Sequence, residues 1–242
     1  MIKKGTRVRT RYRVVQRTLI VTLGGRRQVL SSAPQGGGFC HASHILNHQV
    51  EANAGSHDSS EQRFADPARF LRKLAAQFDM DSGTVGLMTA VPMAQLVTVR
   101  VSSGALWVEC FATVGVTNAV RAGEWPPQQD SRRRAAAPGT INLIMVTNGS
   151  LSHSAMVGAV QVVTEAKTVV LRDHPVPSCY GGFPATGTGT DAVVIACRMR
   201  GEGPRYIYSG THTLLGALIG QAVADCVSRG LEKARRWQER HR

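Results

Sequence analysis

Long apolar runs are absent from this 242-residue sequence. The longest runs reach five or six residues, as at 193–197, whereas a membrane-spanning helix needs about 20. Aromatic residues are also scarce, at 5% of the chain, which leaves little material for a surface that stacks nucleic-acid bases. Because 43% of the residues are hydrophobic and only 19% are charged, we expect a globular protein without a membrane span.

Paired cysteines are missing as well. The five cysteines include no C-x-x-C pair, and their odd number argues against a closed disulfide framework. The basic N-terminal segment is followed only by the short apolar stretch 19–23, whereas a secretory signal has an apolar region of about 7 to 15 residues. We therefore expect a reduced, cytoplasmic protein.

Several familiar site motifs do not occur. The sequence has no G-x-x-x-x-G-K-[ST] phosphate loop, no G-x-G-x-x-G dinucleotide fingerprint and no G-x-S-x-G serine elbow. His44 and His48 have the i, i+4 spacing found in zinc sites, but the glutamate of H-E-x-x-H does not accompany them. Ordinary pocket or surface histidines are the favoured interpretation, and we expect no metal centre.

Acidic residues are outnumbered, since 29 Lys and Arg against 16 Asp and Glu give a net charge of +13. Residues 1–17 hold seven basic residues and no acid, residues 229–242 add a net +4, and +2 remains for residues 18–228. Arginines alternate at positions 7, 9, 11 and 13, so that an extended strand would carry all four on one face. A solvated edge strand is one interpretation of this pattern, and contact with a polyanion or a membrane surface is the other.

The hydrophobic pattern predicts an α/β fold, with α+β as the alternative, made of a single mixed β-sheet with packed helices. Hairpins are expected in the N-terminal half, including one around Gly24 and Gly25 within residues 18–32. Strands are predicted at 84–90, 95–101 and 106–114, and Asp66 is predicted to cap a helix that starts at Pro67.

The second half of the chain shows a strand, a polar turn and a helix twice. The predicted strands are 143–146 and 192–197, and helices 152–172 and 213–236 should pack on the sheet. The first helix is apolar almost all round, which makes its Glu165 and Lys167 unusual. An ion pair or a solvent-facing stripe, and a role in a site, are both open for them.

The domain is predicted to span residues 18–228, with a basic extension at 1–17 and a basic helix end at 229–242. Residues 121–138, rich in proline and arginine, are predicted to form an exposed loop within that domain.

Two segments have the residue types of a reactive site. Residues 186–191 alternate threonine with glycine before Asp191, so hydroxyls, backbone N–H groups and a carboxylate share one small volume. A tight loop in which Asp191 binds its own backbone is the alternative. Residues 209–213 precede a helix, where free N–H groups favour negative charge, and His212 is a candidate acid or base there. A plain N-cap is the alternative for this second segment.

Five short segments follow one another in a familiar order: VLSSA at 29–33 with Gly36 and Gly37, VTNAVRAG at 116–123, GTIN at 139–142 with TEAK at 164–167, ATGTGTD at 185–191, and GTHT at 210–213 with Gly216. Together they resemble the adenosylcobinamide amidohydrolase family over about residues 18–228. The resemblance does not include the arginine-rich start, residues 57–66 or the basic tail.

The resemblance implies a reaction. It is hydrolysis of the amide that links the aminopropanol arm of adenosylcobinamide to the corrin ring, giving adenosylcobyric acid and 1-aminopropan-2-ol for cobalamin salvage. The partner is then a corrinoid small molecule, and no cofactor is implied, because the cobalt belongs to the substrate.

Hydrolysis of an amide needs a base, donors for the oxyanion and an acid for the leaving amine. Asp191 is our first choice for the base, with Glu165 and His212 as further acid–base candidates. Asn142 and Asn118 are predicted to hold the carbonyl or the leaving arm. The remaining predicted substrate-binding residues are Gly36, Gly37, Thr188 and Thr211.

The nucleophile is open between water and a threonine hydroxyl, Thr190 or Thr211. Since no Ser–His or Cys–His pairing shows in the sequence, water is favoured. Two other function classes are also open. A corrinoid-binding protein without hydrolase activity would tolerate loss of Asp191 or His212. A nucleic-acid-binding protein would use the basic tails, and the near-neutral body makes it the weaker alternative.

Overall fold

The computed structural model describes residues 3–5, 9–50, 66–80, 83–125 and 139–240. The strands are β1 Lys3–Gly5, β2 Arg11–Val15, β3 Thr18–Ser31, β4 Gly38–Gln49, β5 Thr84–Thr89, β6 Val97–Ser103, β7 Leu106–Val114, β8 Ala119–Val120, β9 Ile141–Thr147, β10 Ser150–Leu151, β11 Gly187–Thr188, β12 Ala192–Cys197 and β13 Arg205–Tyr206. The helices are α1 Pro67–Gln77, α2 His153–Asp173 and α3 Leu214–Arg240, and Met93–Gln95 form a 3₁₀ turn.

A mixed β-sheet organises the molecule. Within the described residues, eight strands lie in the order β1-β6-β7-β9-β12-β3-β4-β5, and β2 pairs with β3 as a ninth. The pairs β9–β12 and β4–β5 are parallel, and the other pairs of this sheet are antiparallel. The mixed sheet with packed helices confirms the predicted α/β class.

The predicted hairpin turn at Gly24 and Gly25 is wrong, because β3 runs through both glycines as one strand of 14 residues. Their φ values are +68° and +133°, and the pairing of β3 with β4 shifts register between Thr22 and Arg27. The two glycines thus accommodate a β-bulge instead of a chain reversal. Hairpins in the N-terminal half join β2 to β3, β3 to β4 and β6 to β7.

The two long helices cover one face of the sheet. α2 connects the parallel neighbours β9 and β12, and its N-cap Ser152 accepts a hydrogen bond from the backbone N–H of Ala155. α3 packs against α2, β6 and β7, and buried side chains of all these elements form one apolar cluster. As predicted, Asp66 caps α1, which packs on β5.

By length and composition alone, α2 and α3 are long and apolar enough to cross a membrane. The core helix of a globular protein meets the same criteria, and the apolar faces of both helices are buried against the sheet. The absence of a membrane span therefore stays a prediction.

Parts of two sequence predictions lie outside the described residues. These are Arg7 of the alternating arginines and residues 126–138 of the expected loop. The arginines at 11 and 13 lie on β2 and are exposed, in agreement with a solvated strand.

A buried carboxylate attaches the N-terminal segment to the sheet. Glu109 on β7 is inaccessible to solvent and forms an ion pair with Arg100 on β6. The same carboxylate accepts hydrogen bonds from the backbone N–H groups of Arg9, at 2.6 Å, and Thr10, at 3.0 Å. Arg100 in turn lies 4.5 Å from the centre of the Trp107 ring.

We expect Arg100→Met to lower the free energy of unfolding by about 3–5 kcal/mol, because it leaves Glu109 buried without a cation. Arg235→Met is the matched control, since Arg235 is exposed and pairs with Glu239 at 3.8 Å, and it should cost less than about 1 kcal/mol. Equilibrium unfolding in urea measures both. Equal midpoints for the two variants would mean that the two backbone N–H groups alone satisfy Glu109.

Candidate active site

Asp191 lies where two parallel strands begin. It directly precedes β12, and its Oδ1 accepts a hydrogen bond of 3.0 Å from the backbone N–H of Ile141, the first residue of β9. The pairing of Asn142 with Ala192 sets this register. The carboxylate therefore joins the amino ends of two central strands.

Lys167 forms an ion pair with this carboxylate. Its Nζ lies 2.5 Å from Asp191 Oδ2, and the side chains of the two residues are 10% and 13% exposed. Lys167 comes from α2, which connects the carboxyl end of β9 to the amino end of β12. The helix therefore brings Lys167 to the amino end of β12, next to Asp191. The sequence signal for Lys167 was a charged residue within an almost wholly apolar helix, which left an ion pair or a role in a site open. Lys167 was not among the predicted site residues.

Thr188 completes the cluster. Its backbone N–H donates to Asp191 Oδ2 at 3.1 Å, and its hydroxyl donates to Asp191 Oδ1. With Lys167 and the N–H of Ile141, Asp191 has four donors, which is about the number of acceptor sites that a carboxylate offers. Asp191 does bind its own loop, as one sequence interpretation held, and it also forms an ion pair.

Gly187 permits this close arrangement. A Cβ atom at Gly187 would lie 2.5 Å from Asp191 Oδ2 and 2.7 Å from Lys167 Nζ, closer than real Cβ contacts come. Gly187 and Thr188 form β11, which pairs with β8 at residues 119 and 120. The alternation of glycine with threonine at 186–189 therefore has a steric reason at Gly187.

The cluster lines an open cleft of about 450 Å³. Its lining residues are Val120, Ala122, Thr164, Lys167, Thr168, Thr186, Gly187, Thr188, Gly189 and Asp191. The cleft thus combines one ion pair with small side chains and hydroxyls, which leaves room for an extended substrate arm next to the carboxylate.

Thr190 lies on the other side of the same chain segment. Its hydroxyl is 3.0 Å from the carbonyl oxygen of Gly139 and 2.9 Å from the hydroxyl of Thr140. It lines a smaller pocket of about 260 Å³, together with Pro34 and Asn142. Consecutive residues 190 and 191 therefore border different cavities, and Thr190 has no hydrogen bond to Asp191 among the described contacts.

Asn142 lines that smaller pocket from the sheet. Its Nδ2 donates to Asn47 Oδ1 at 3.0 Å and to the carbonyl oxygen of Met88 at 2.8 Å, while its Oδ1 is buried without a hydrogen-bond partner among the described residues. Asn118 Oδ1 is also buried and unpartnered in the described chain, and it lies beside Gly139, where an added Cβ would be 2.7 Å from it.

The other sequence-predicted residues lie outside the cleft with Asp191. Glu165 is exposed, because it stands two positions from the buried Lys167 and so projects from a different side of α2. Gly36 and Gly37 belong to the β3–β4 loop, where an added Cβ would lie 3.0 Å from Val85 Cγ2 and 2.7 Å from the carbonyl oxygen of Ala33, respectively. None of the three lines the cleft.

Thr211 and His212 are exposed in the loop before α3. The neighbouring Ser209 donates to the carbonyl oxygen of Ala155 at 2.6 Å, near the start of α2. Twelve helical residues separate Ala155 from Lys167, which corresponds to roughly 18 Å along the axis. The structure therefore does not bring His212 to Asp191.

No three His, Cys, Asp or Glu side chains converge as metal ligands within the described part of the chain. His48 Nδ1 is instead 2.8 Å from the hydroxyl of Thr18, and burial together with the nearby Arg17 lowers the pKa of His48. That the protein holds no metal stays a prediction.

Comparison with known proteins identifies the family. A family profile described as adenosylcobinamide amidohydrolase matches residues 2–239. The chain belongs to the adenosylcobinamide amidohydrolase family. The match extends over most of the arginine-rich start and the basic tail, which the five sequence segments do not reach.

Three relatives show how far the similarity extends. An adenosylcobinamide amidohydrolase of Methanosarcina mazei is 30% identical over 228 residues, which cover 91% of this chain and 97% of that protein. Another, of Halobacterium salinarum, is 38% identical over 103 residues, or 43% of this chain and 39% of that protein. An uncharacterised protein of Methanocaldococcus jannaschii is 27% identical over 231 residues, covering 90% and 86%.

For this member of the adenosylcobinamide amidohydrolase family, we expect Gly187→Ala to abolish activity, because the added methyl group would separate Lys167 from Asp191. Gly220→Ala is the matched control, since Gly220 lies on α3 and does not line the cleft, and an added Cβ there would make an ordinary contact of 3.7 Å with Val162. Hydrolysis rates for adenosylcobinamide, measured with thermal midpoints, test the pair. Equal rates for the two variants would show that the ion pair is dispensable.

Proposed function

We propose that the protein hydrolyses the amide bond between the aminopropanol arm and the corrin ring of adenosylcobinamide. The products are adenosylcobyric acid and 1-aminopropan-2-ol, for use in cobalamin salvage. The cluster of Lys167, Asp191 and Thr188 in an open cleft carries this proposal, because the chain belongs to a family of amidohydrolases. The reaction takes place in the cytoplasm without a cofactor of the protein's own, and cobalt enters only as part of the substrate.

The nucleophile we propose is the hydroxyl of Thr188. The four acceptor sites of Asp191 are filled, so a water molecule can reach the carboxylate only if one of these bonds breaks. Thr188 already points its proton at Oδ1. A hydroxyl bound to a base that a third group orients is the usual arrangement of nucleophilic catalysis. This geometry favours Thr188 over Thr190, Thr211 and free water.

In the first step, Thr188 Oγ forms a bond to the amide carbon while its proton passes to Asp191. The carbon–nitrogen bond then breaks, and Asp191 returns the proton to the leaving amine, so 1-aminopropan-2-ol departs and an ester with Thr188 remains. In the second step, water gives a proton to Asp191 and attacks the ester. Asp191 then protonates Thr188 Oγ, and the carboxylic acid of the corrinoid is released.

Two donors support the charges that develop in these steps. The backbone N–H of Thr190 lies 3.5 Å from Thr188 Oγ, where the hydroxyl becomes negative as it loses its proton. Lys167 lines the same cleft, and its ammonium group attracts negative charge on the substrate oxygen.

The corrin ring is too large for a cleft of about 450 Å³, so we propose that it lies across the outer rim. Ala122 lines the cleft, and residues 121–123 around it are exposed. A hydrogen bond from Ser178 to Glu124 brings the exposed segment 179–184 close to them. Phe183 is 61% exposed there, and the guanidinium of Arg121 lies 5.4 Å from its ring centre. Exposed aromatic surface of this kind suits a broad, partly apolar ligand.

Incubation of the purified protein with adenosylcobinamide should give adenosylcobyric acid, detected by mass spectrometry. Asp191→Asn should lower the rate at least about 100-fold, because the amide group no longer accepts the proton. Asp225→Asn is the matched control, since Asp225 lies on α3 and bonds to Gln221. Tight binding of the corrinoid by the wild-type protein, with no product, would instead support the binding-protein alternative.

Thr188→Ala should lower the rate at least about 100-fold, whereas Thr190→Ala should retain it within about tenfold. Rapid quenching of the wild-type reaction should also reveal an intact protein with the mass of an added cobyric acyl group. Full activity of Thr188→Ala would exclude the threonine as nucleophile and indicate water, with the hydrolase function itself intact.

A further inference from the structure

A second cleft, of about 470 Å³, is lined by positive charge. Three arginines, Arg9, Arg11 and Arg27, contribute to its walls together with Trp107. We call it the arginine cleft. None of its lining residues belongs to the cleft around Asp191.

The arginine cleft lies at the opposite end of the sheet from Asp191. Trp107 directly precedes Val108, which pairs with Thr147, the last residue of β9. Asp191 lies beside Ile141, the first residue of β9, and six residues of strand correspond to about 20 Å. The arginine cleft is therefore near the carboxyl ends of the parallel strands β9 and β12, where open α/β sheets commonly bind ligands.

The positive charge of this cleft is only partly offset by nearby carboxylates. Among the described residues, no Asp or Glu lines the arginine cleft. Glu109 is near in the fold, but its carboxylate is buried and engaged by Arg100 and two backbone N–H groups. Burial and the neighbouring Arg198 lower the pKa of Arg27, and they outweigh Glu202, which raises it. Arg27 thus lies where an added negative charge would be stabilising.

The Arg27 side chain and the backbone of the other two arginines are held in place. Arg27 donates from Nε to the carbonyl oxygen of Leu23 and from Nη1 to that of Thr147, both at 3.2 Å. The backbone of Arg9 is fixed by Glu109, and Arg11 pairs with Thr22 in the β2–β3 hairpin. Binding an anion between these arginines therefore requires little ordering of the backbone or of Arg27.

We infer that the arginine cleft binds a small molecule that carries phosphate groups. Guanidinium groups match phosphate oxygens with two parallel hydrogen bonds, and three arginines that line one cleft offset the charge of a phosphate or diphosphate. A volume of about 470 Å³ is in the usual range for small-molecule sites, and Trp107 supplies an aromatic wall. A nucleic acid would need basic residues spread along a track, whereas these three line a single small cleft.

The test is isothermal titration calorimetry of the full chain at low ionic strength. The ligands are pyrophosphate, ADP, adenosine and a twelve-nucleotide oligothymidylate. We expect pyrophosphate and ADP to bind and adenosine not to bind. Arg11→Gln should weaken binding of ADP about tenfold, the loss expected for one hydrogen bond to a charged group. Arg13→Gln is the matched control, because it removes the same charge from the same exposed strand but does not line the cleft, and it should change affinity less than about twofold.

Three results would overturn this inference. Absence of binding by both pyrophosphate and ADP would show that the cleft has no phosphate site. Equal losses in Arg11→Gln and Arg13→Gln would show that net charge alone attracts the anion. Much tighter binding of the oligothymidylate, with affinity falling steeply as salt rises, would point to a nucleic-acid surface instead. Thermal midpoints of both variants identify any loss caused by unfolding.

Discussion

The carboxylate of Asp191 is the point on which the arrangement of the site depends. Its four donors come from the start of β9, from α2 and from the loop before β12, so one side chain ties together three parts of a strand–helix–strand unit. Half of these donors are backbone N–H groups, whose positions follow from the main chain alone. The site is therefore as rigid as the parallel pairing of β9 with β12, which lies in the middle of the sheet.

Carboxylates are paired with cations at both ends of the sheet, but only one of the two clefts has a carboxylate in its own wall. At the amino ends of β9 and β12, the buried Lys167 and the partly exposed carboxylate of Asp191 neutralise each other. At the other end, the carboxylate of Glu109 binds Arg100 and two backbone N–H groups. Within the described residues, no carboxylate lines the arginine cleft beside it. The fold thus has a charge-paired cleft at one end of the sheet and a cationic cleft at the other.

Much of the fold was predictable from sequence because local signals agreed with the final packing. The Asp66–Pro67 start of α1, the Ser152 cap of α2 and strand 192–197 all follow from capping residues and apolar runs. The hairpin turn predicted at Gly24 and Gly25 was wrong, because a pair of glycines suits a bulge as well as a turn. Only the pairing of β3 with β4 decides between the two. Asp191 and Thr188 could be found from the loop motif. The pairing of Asp191 with Lys167, 24 positions away, depends on the path of α2. His212 and Glu165 have suitable chemistry, but sequence cannot tell which end or which side of a helix faces a cavity.

Glu109 has a consequence for how this chain can vary among relatives. It holds residues 9 and 10 through their N–H groups, not through their side chains. Any amino acid except proline supplies an N–H group, so the side chains of this segment are free to drift in evolution while its path over the sheet stays the same. Relatives can therefore gain or lose arginines beside Trp107 without rebuilding the N-terminal segment, and the charge at that end of the molecule can change independently of the cluster around Asp191.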